Sequence, residues 1–144
     1  MAAAALDASL VAMLVVVTVS DVRTRLVPDV PLAGSLALAL GVCALADPGA
    51  LQGRLAAGAV AAGFLLAAVL IRPDGMGLGD VKLAGVLGVY LGADVIEAML
   101  VAFAAGLLAG VVLLLRHGWA ARTRTIPFAP FLALGALVAI APQP

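Results

Sequence analysis

The run Leu51–Ile71 constrains this chain more than any other feature: 21 residues whose only polar side chains, Gln52 and Arg54, stand at its mouth. A bilayer core of about 30 Å takes roughly 20 helical residues, so the run has the length of a transmembrane helix. Its Gly58 and Gly63, set among alanines, offer a smooth face for close helix packing.

Similar runs lie on both sides. Ala2–Val19 is a first span if Asp7 sits among headgroups, and Ser20-Asp21-Val22-Arg23-Thr24-Arg25 ends it. It opens without Lys or Arg, unlike a cleaved signal peptide, and is expected to stay as a helix. Pro28-Asp29-Val30-Pro31 opens a second helix, because proline is tolerated in a first turn, and Leu32–Ala46 follows. Asp47-Pro48-Gly49 reads as a turn. Val81–Gly92 is a short fourth segment, Val95–Leu115 a fifth, and Ile126-Pro127-Phe128-Ala129-Pro130 leads into Phe131–Ala141. The fourth and sixth are short enough to be tilted or partly buried.

Composition agrees. Hydrophobic residues make up 65% of the chain and sixteen glycines come on top, whereas a soluble domain is roughly 45–50% apolar with glycine counted. Lipid is therefore the solvent for most of the chain. The expected fold class is all-α, a polytopic integral membrane protein of about six transmembrane helices, with residues 1–144 forming a single domain. Eight basic and eight acidic residues cancel, which argues against a nucleic-acid partner. The lone cysteine, Cys43, lies in an apolar run and reads as a small buried hydrophobe.

Placement of the charges predicts a topology. With the N-terminus outside, the loops after the first, third and fifth helices are cytoplasmic. They hold Arg23, Arg25, Arg72, Lys82, Arg116, Arg122 and Arg124, seven of the eight basic residues, and only Arg54 stays outside. Both termini then lie outside an inner (plasma) membrane, and Asp21 and Asp80 share the cytoplasmic face.

Those two acids carry the functional reading. Asp80 closes the glycine-rich knot Pro73-Asp74-Gly75-Met76-Gly77-Leu78-Gly79-Asp80, where a membrane helix begins. An acid there is costly unless water or partners solvate it. If Asp21 and Asp80 meet, the two carboxylates cannot both ionise cheaply and hold one proton between them, so that one takes a proton from water while the other polarises a peptide carbonyl. Plainer roles stand beside this. From spacing alone Asp21 is more simply a solvated loop residue beside Arg23 and Arg25, while for Asp80 a helix cap or ion pair with Lys82 is the lesser reading. Asp29 is a supporting partner that orients the pair or, slightly favoured, a charge at a helix N-terminus. Asp74 is expected to be solvated, while Asp47, Asp94 and Glu97 fall on the other face. His117 has no second histidine or cysteine near it, so a zinc site or a serine triad is not expected.

The knot PDGMGLGDVKLAGVLGVYLG resembles the GxGD motif of type IV prepilin peptidases and archaeal preflagellin peptidases. DVRTRLVPD resembles their first catalytic motif, and IPFAPFLALG the proline-containing entry into their last helix. Each motif is short, but the three in order are specific. The resemblance implies a membrane aspartic endopeptidase with Asp21 and Asp80 as the catalytic pair, and Gly77 and Gly79 as the GxGD glycines. Lys82 and Asp29 would shape the site. The implied partners are membrane lipids and a prepilin whose short basic leader is cut just before a hydrophobic helix.

Only Ser20–Pro31 separates the first two helices, without the cysteine-bearing insertion of the long bacterial form. That likens the chain to the compact subfamily serving tight-adherence (Flp-like) pili or archaeal flagellins, with no cofactor and no dependence on S-adenosylmethionine. Two other classes compete: a proton-coupled transporter or channel subunit, in which membrane acids relay protons, and a nonenzymatic pilus-assembly scaffold. Proton flux in liposomes abolished by changing Asp80 would favour the first, and pilus assembly indifferent to Asp→Asn changes the second.

Overall fold

The computed structural model describes residues 2–73, 75–117 and 127–141, and is helical with no strand among them. In chain order the α-helices are α1 (Ala2–Thr24), α2 (Asp29–Ala46), α3 (Pro48–Ile71), α4 (Leu78–Leu91), α5 (Val95–His117) and α6 (Ala129–Ile140), with a 3₁₀ turn, Gly92–Asp94, between α4 and α5. Three stretches are long and apolar enough to cross a membrane: Asp29–Ala46, Pro48–Ile71 and Leu78–His117. The last is broken at Gly92, whose φ of +61° suits a residue without a Cβ.

Helix ends follow from local chemistry. Asp47 is a hinge of one residue, because its carboxylate accepts the Ala50 N–H at 3.2 Å and Pro48 occupies the first turn. The expected turn at 47–49 is thus mostly helix. α1 runs to Thr24, past the expected end at Val19. Thr24 Oγ1 donates to the Ser20 carbonyl at 2.9 Å, and the Arg25 N–H donates to the Asp21 carbonyl at 2.8 Å with Arg25 at φ 55°, so the polar residues finish the helix instead of leaving it. α2 starts after an extended Pro28, with Asp29 in its first turn. At the far end of α4, Arg54 donates from Nη1 to the Val89 carbonyl at 3.2 Å and to that of Tyr90, satisfying carbonyls the helix leaves open.

α4 is the central element. It packs on α2, α3 and α6, and from Asp80 to Leu91 only Lys82 and Gly85 escape full burial. That is why its sequence is apolar on every side. The most extensive packing joins α3 to α4 and α5 to α6. Gly88 lies so close to α3 that a Cβ on it would stand 2.5 Å from Gly58 Cα, and a Cβ on Gly135 would collide with the Ala98 carbonyl. Small residues permit this backbone approach. Gly58 performs the packing role expected of it, whereas Gly63 has nothing within 4 Å of the position a Cβ would take. Cys43 is buried, as expected. The outward faces are apolar and exposed, with Leu70, Ile71, Leu107 and Leu115 each more than 70% accessible, which suits a helix bundle in lipid.

Candidate active site

Three segments far apart in sequence converge on one cavity of about 340 Å³. The end of α1 and the turn after it bring Asp21, Arg25 and Val27; the glycine segment and the start of α4 bring Gly77, Gly79, Asp80 and Lys82; the residues before α6 bring Pro127 and Phe128. Asp29, from the first turn of α2, completes the rim. All six site residues named from sequence, Asp21, Asp80, Gly77, Gly79, Lys82 and Asp29, line this space. Asp74, Trp119, Arg122, Arg124 and Ile126 lie outside the described residues.

Among the described residues Asp21 and Asp80 are the buried charged side chains, 6% and 8% accessible. Asp21 is therefore no solvated loop residue. Its Oδ2 accepts the Ala129 N–H at 3.3 Å, the first free amide of α6. The positive end of that helix faces the carboxylate. Asp80 sits in the first turn of α4, its own N–H donating to the Gly77 carbonyl at 3.2 Å. Asp80 Oδ1 has no hydrogen-bond partner among the described residues. Asp80 lines the cavity while this oxygen is itself shielded from solvent, and a buried polar atom without a partner calls for a functional explanation.

Lys82 does not pair with Asp80. Its ammonium meets Asp29 Oδ1 at 2.7 Å, both side chains being more than half exposed, so the pair bridges α4 and α2 at the cavity mouth. Asp29 is the first-turn charge expected of it, and it lines the cavity with Lys82 as its partner. Gly79 is pressed against the turn after α1, where a Cβ would lie 2.7 Å from Val27 Cβ. Gly77 has room, its nearest neighbour standing 3.8 Å from the same construction.

Sequence reasoning missed the Ala129 amide, the left-handed Arg25 and the Val27 contact. The first two were signalled weakly, by the proline-flanked entry to α6 and by the polar end of α1. The third follows only from tertiary packing. Ser20 Oγ also ties the turn down, donating to the Leu26 carbonyl at 2.9 Å.

A sequence model of the type IV leader peptidase family matches residues 8–115. The prepilin leader peptidase/N-methyltransferase of Bacillus subtilis (strain 168) is 34% identical over 134 residues, which is 90% of this chain and 52% of the relative. The chain thus spans about half the length of that curated relative. No solved structure matches it.

Proposed function

The chain belongs to the type IV leader peptidase family, and on that premise we propose that it is a membrane aspartic endopeptidase. It removes the cytoplasmic leader of Flp-like type IV prepilins just before their hydrophobic helix. The observation that carries the reading is that two otherwise costly buried acids open onto one cavity.

Asp21 acts as the base and Asp80 as the acid. Asp21 accepts the Ala129 amide and so is held as an oriented carboxylate, while Asp80, whose Oδ1 has no hydrogen-bond partner among the described residues, is assigned to give a proton to the substrate carbonyl. Asp21 takes a proton from water as its oxygen bonds to the peptide carbon, and Asp80 protonates the carbonyl oxygen. The tetrahedral intermediate collapses with cleavage of the C–N bond: the leaving amine receives the proton held by Asp21, and one hydroxyl of the intermediate returns its proton to Asp80 as the new carbonyl forms. The glycine segment lets an extended substrate backbone approach Asp80 closely. Neither acid calls for a cofactor in this scheme.

The cavity faces the cytoplasm of an inner (plasma) membrane crossed about six times, with both termini outside. The placement of seven of the eight basic residues supports this orientation. Methylation of the new pilin terminus is assigned elsewhere, because the short link Ser20–Pro31 lacks the cysteine-bearing insertion of the long form.

The test is prepilin cleavage by Asp21→Asn and Asp80→Asn, each with confirmed membrane accumulation. Either change should slow cleavage by about 10²–10⁴-fold, the usual contribution of a positioned acid or base. Wild-type cleavage by both variants would remove the dyad from the chemistry.

A further inference from the structure

An apolar groove of about 380 Å³ runs between α1 and α6, walled by Val11, Val15 and Thr18 on one side and Pro130, Leu134 and Leu137 on the other. Its upper end is tied to the acids. Thr18 lies one helical turn before Asp21, and Pro130 follows Ala129, whose amide Asp21 holds. From Thr18 to Val11 the groove follows α1 for about 10 Å, or two helical turns.

We infer that this groove seats the first turns of the substrate's hydrophobic helix, on the carboxyl side of the bond that is cut; the inference rests on the protease reading above. Three observations select this occupant. First, the same short segment borders both spaces, since Pro127 and Phe128 line the cavity and Pro130 the groove, so a chain leaving the groove enters the cavity at once. Second, the groove leads away from the acids along α6 toward Leu137, the course a helix must take if its leader stays on the side of the acids. Third, its walls are apolar except for Thr18, and Val15, Leu134 and Leu137 are 57%, 46% and 43% accessible, open to the hydrocarbon from which such a helix arrives.

A second apolar groove, about 230 Å³ between α3 and α5, fits less well. Its Phe103 stacks on Phe128 with ring centroids 5.4 Å apart, and this ring pair stands between that groove and the acids.

The experiment is oxidative cross-linking in proteoliposomes. The peptidase carries Cys43→Ser and Asp80→Asn, to remove the native thiol and preserve the substrate, with either Leu134→Cys or Phe64→Cys. The probe is a Flp-like prepilin with a single cysteine in the first two turns after the cleavage site, oxidised with copper–phenanthroline. A seated helix has a high local concentration at its groove, so the adduct with Leu134→Cys should exceed that with Phe64→Cys by at least about tenfold. Equal adducts at both positions, an adduct at Phe64→Cys alone, or none at either, as for a groove holding lipid chains only, would overturn the inference. Cleavage by the Cys43→Ser parent reports the protease reading separately. Cleavage without the Leu134→Cys adduct rejects the groove and keeps the protease reading, whereas no cleavage rejects the protease reading.

Discussion

Adding one methyl group at Gly79 should cripple the site without touching either acid. A Cβ there would lie 2.7 Å from Val27 Cβ and 2.8 Å from Val27 Cγ2, whereas ordinary contact begins at 3.4 Å. The backbones must therefore part by about 0.7 Å, the difference between those two distances. The turn carrying Val27 resists, because Ser20 Oγ holds the neighbouring Leu26 carbonyl and Pro28 fixes the entry to α2. The start of α4 yields instead, carrying Asp80 with it. A misplacement of about 1 Å can cost a hundredfold in rate, so Gly79→Ala should slow prepilin cleavage by about 10–100-fold. The overpacking itself should lower stability by about 1–3 kcal/mol.

Cleavage of purified prepilin in detergent micelles, normalised to folded peptidase, measures the first effect, and thermal unfolding the second. Val27→Gly removes both offending carbons and should restore most of the lost rate in the double variant. Gly77→Ala meets nothing closer than 3.8 Å and sits at φ −83°, so it should keep wild-type stability. Wild-type cleavage by Gly79→Ala, or a defect that Val27→Gly leaves untouched, would refute the steric argument.

Other substitutions test the scaffold. Gly88→Ala and Gly135→Ala force backbones apart at the two main helix pairs and should each cost about 1–3 kcal/mol or more, seen as a lower unfolding temperature, while Gly63→Ala should be neutral. Tyr90→Phe removes a hydroxyl that donates to the Ser35 carbonyl at 2.9 Å and lies 3.0 Å from Ser9 Oγ, and should cost about 1 kcal/mol in the same assay. Lys82→Met breaks only an exposed pair and should change stability by no more than about 1 kcal/mol, so its effect should appear in the salt dependence of cleavage.

Much of this arrangement was legible in the sequence because lipid imposes simple rules. Apolar runs had to be helices, and Asp21 and Asp80 stood out against them. Element ends were less legible. Ser20 and Asp21 looked like the exit from α1, yet the helix runs on to Thr24, since Thr24 bonds back to Ser20 and Asp21 accepts the Arg25 amide through its carbonyl. Burial of Asp21 was legible only weakly. Its partner, the Ala129 amide, lies 108 residues away, and the proline-flanked entry to α6 was its one local signal. Gly58 and Gly63 looked alike for a similar reason, since only tertiary packing puts Gly88 against one of them and nothing against the other.

The two shortest helices explain where the acids sit. α6 packs on α5 with Gly135 at Ala98 and Phe128 at Gly106, so Ala129 and the Asp21 carboxylate it holds are level with about residue 105. α5 then continues to His117, about 18 Å further at 1.5 Å per residue. On the other side, Gly88 against Gly58 and Gly85 against Ala62 bring Asp80 level with about residue 67, while α3 runs on to Ile71, about 6 Å beyond. The cavity therefore lies in a recess below the ends of its longer neighbours, and α4 and α6 are short because they form its floor. The two carboxyls in this recess are held differently: Asp21 accepts the amide of α6, while Asp80 Oδ1 has no partner among the described residues. On the proposed protease reading, a peptide bond would reach the recess either by threading down from the leader side or by sliding in from lipid along α1 and α6. The second route would keep an apolar helix in hydrocarbon throughout, and the groove beside Thr18 and Pro130 offers it.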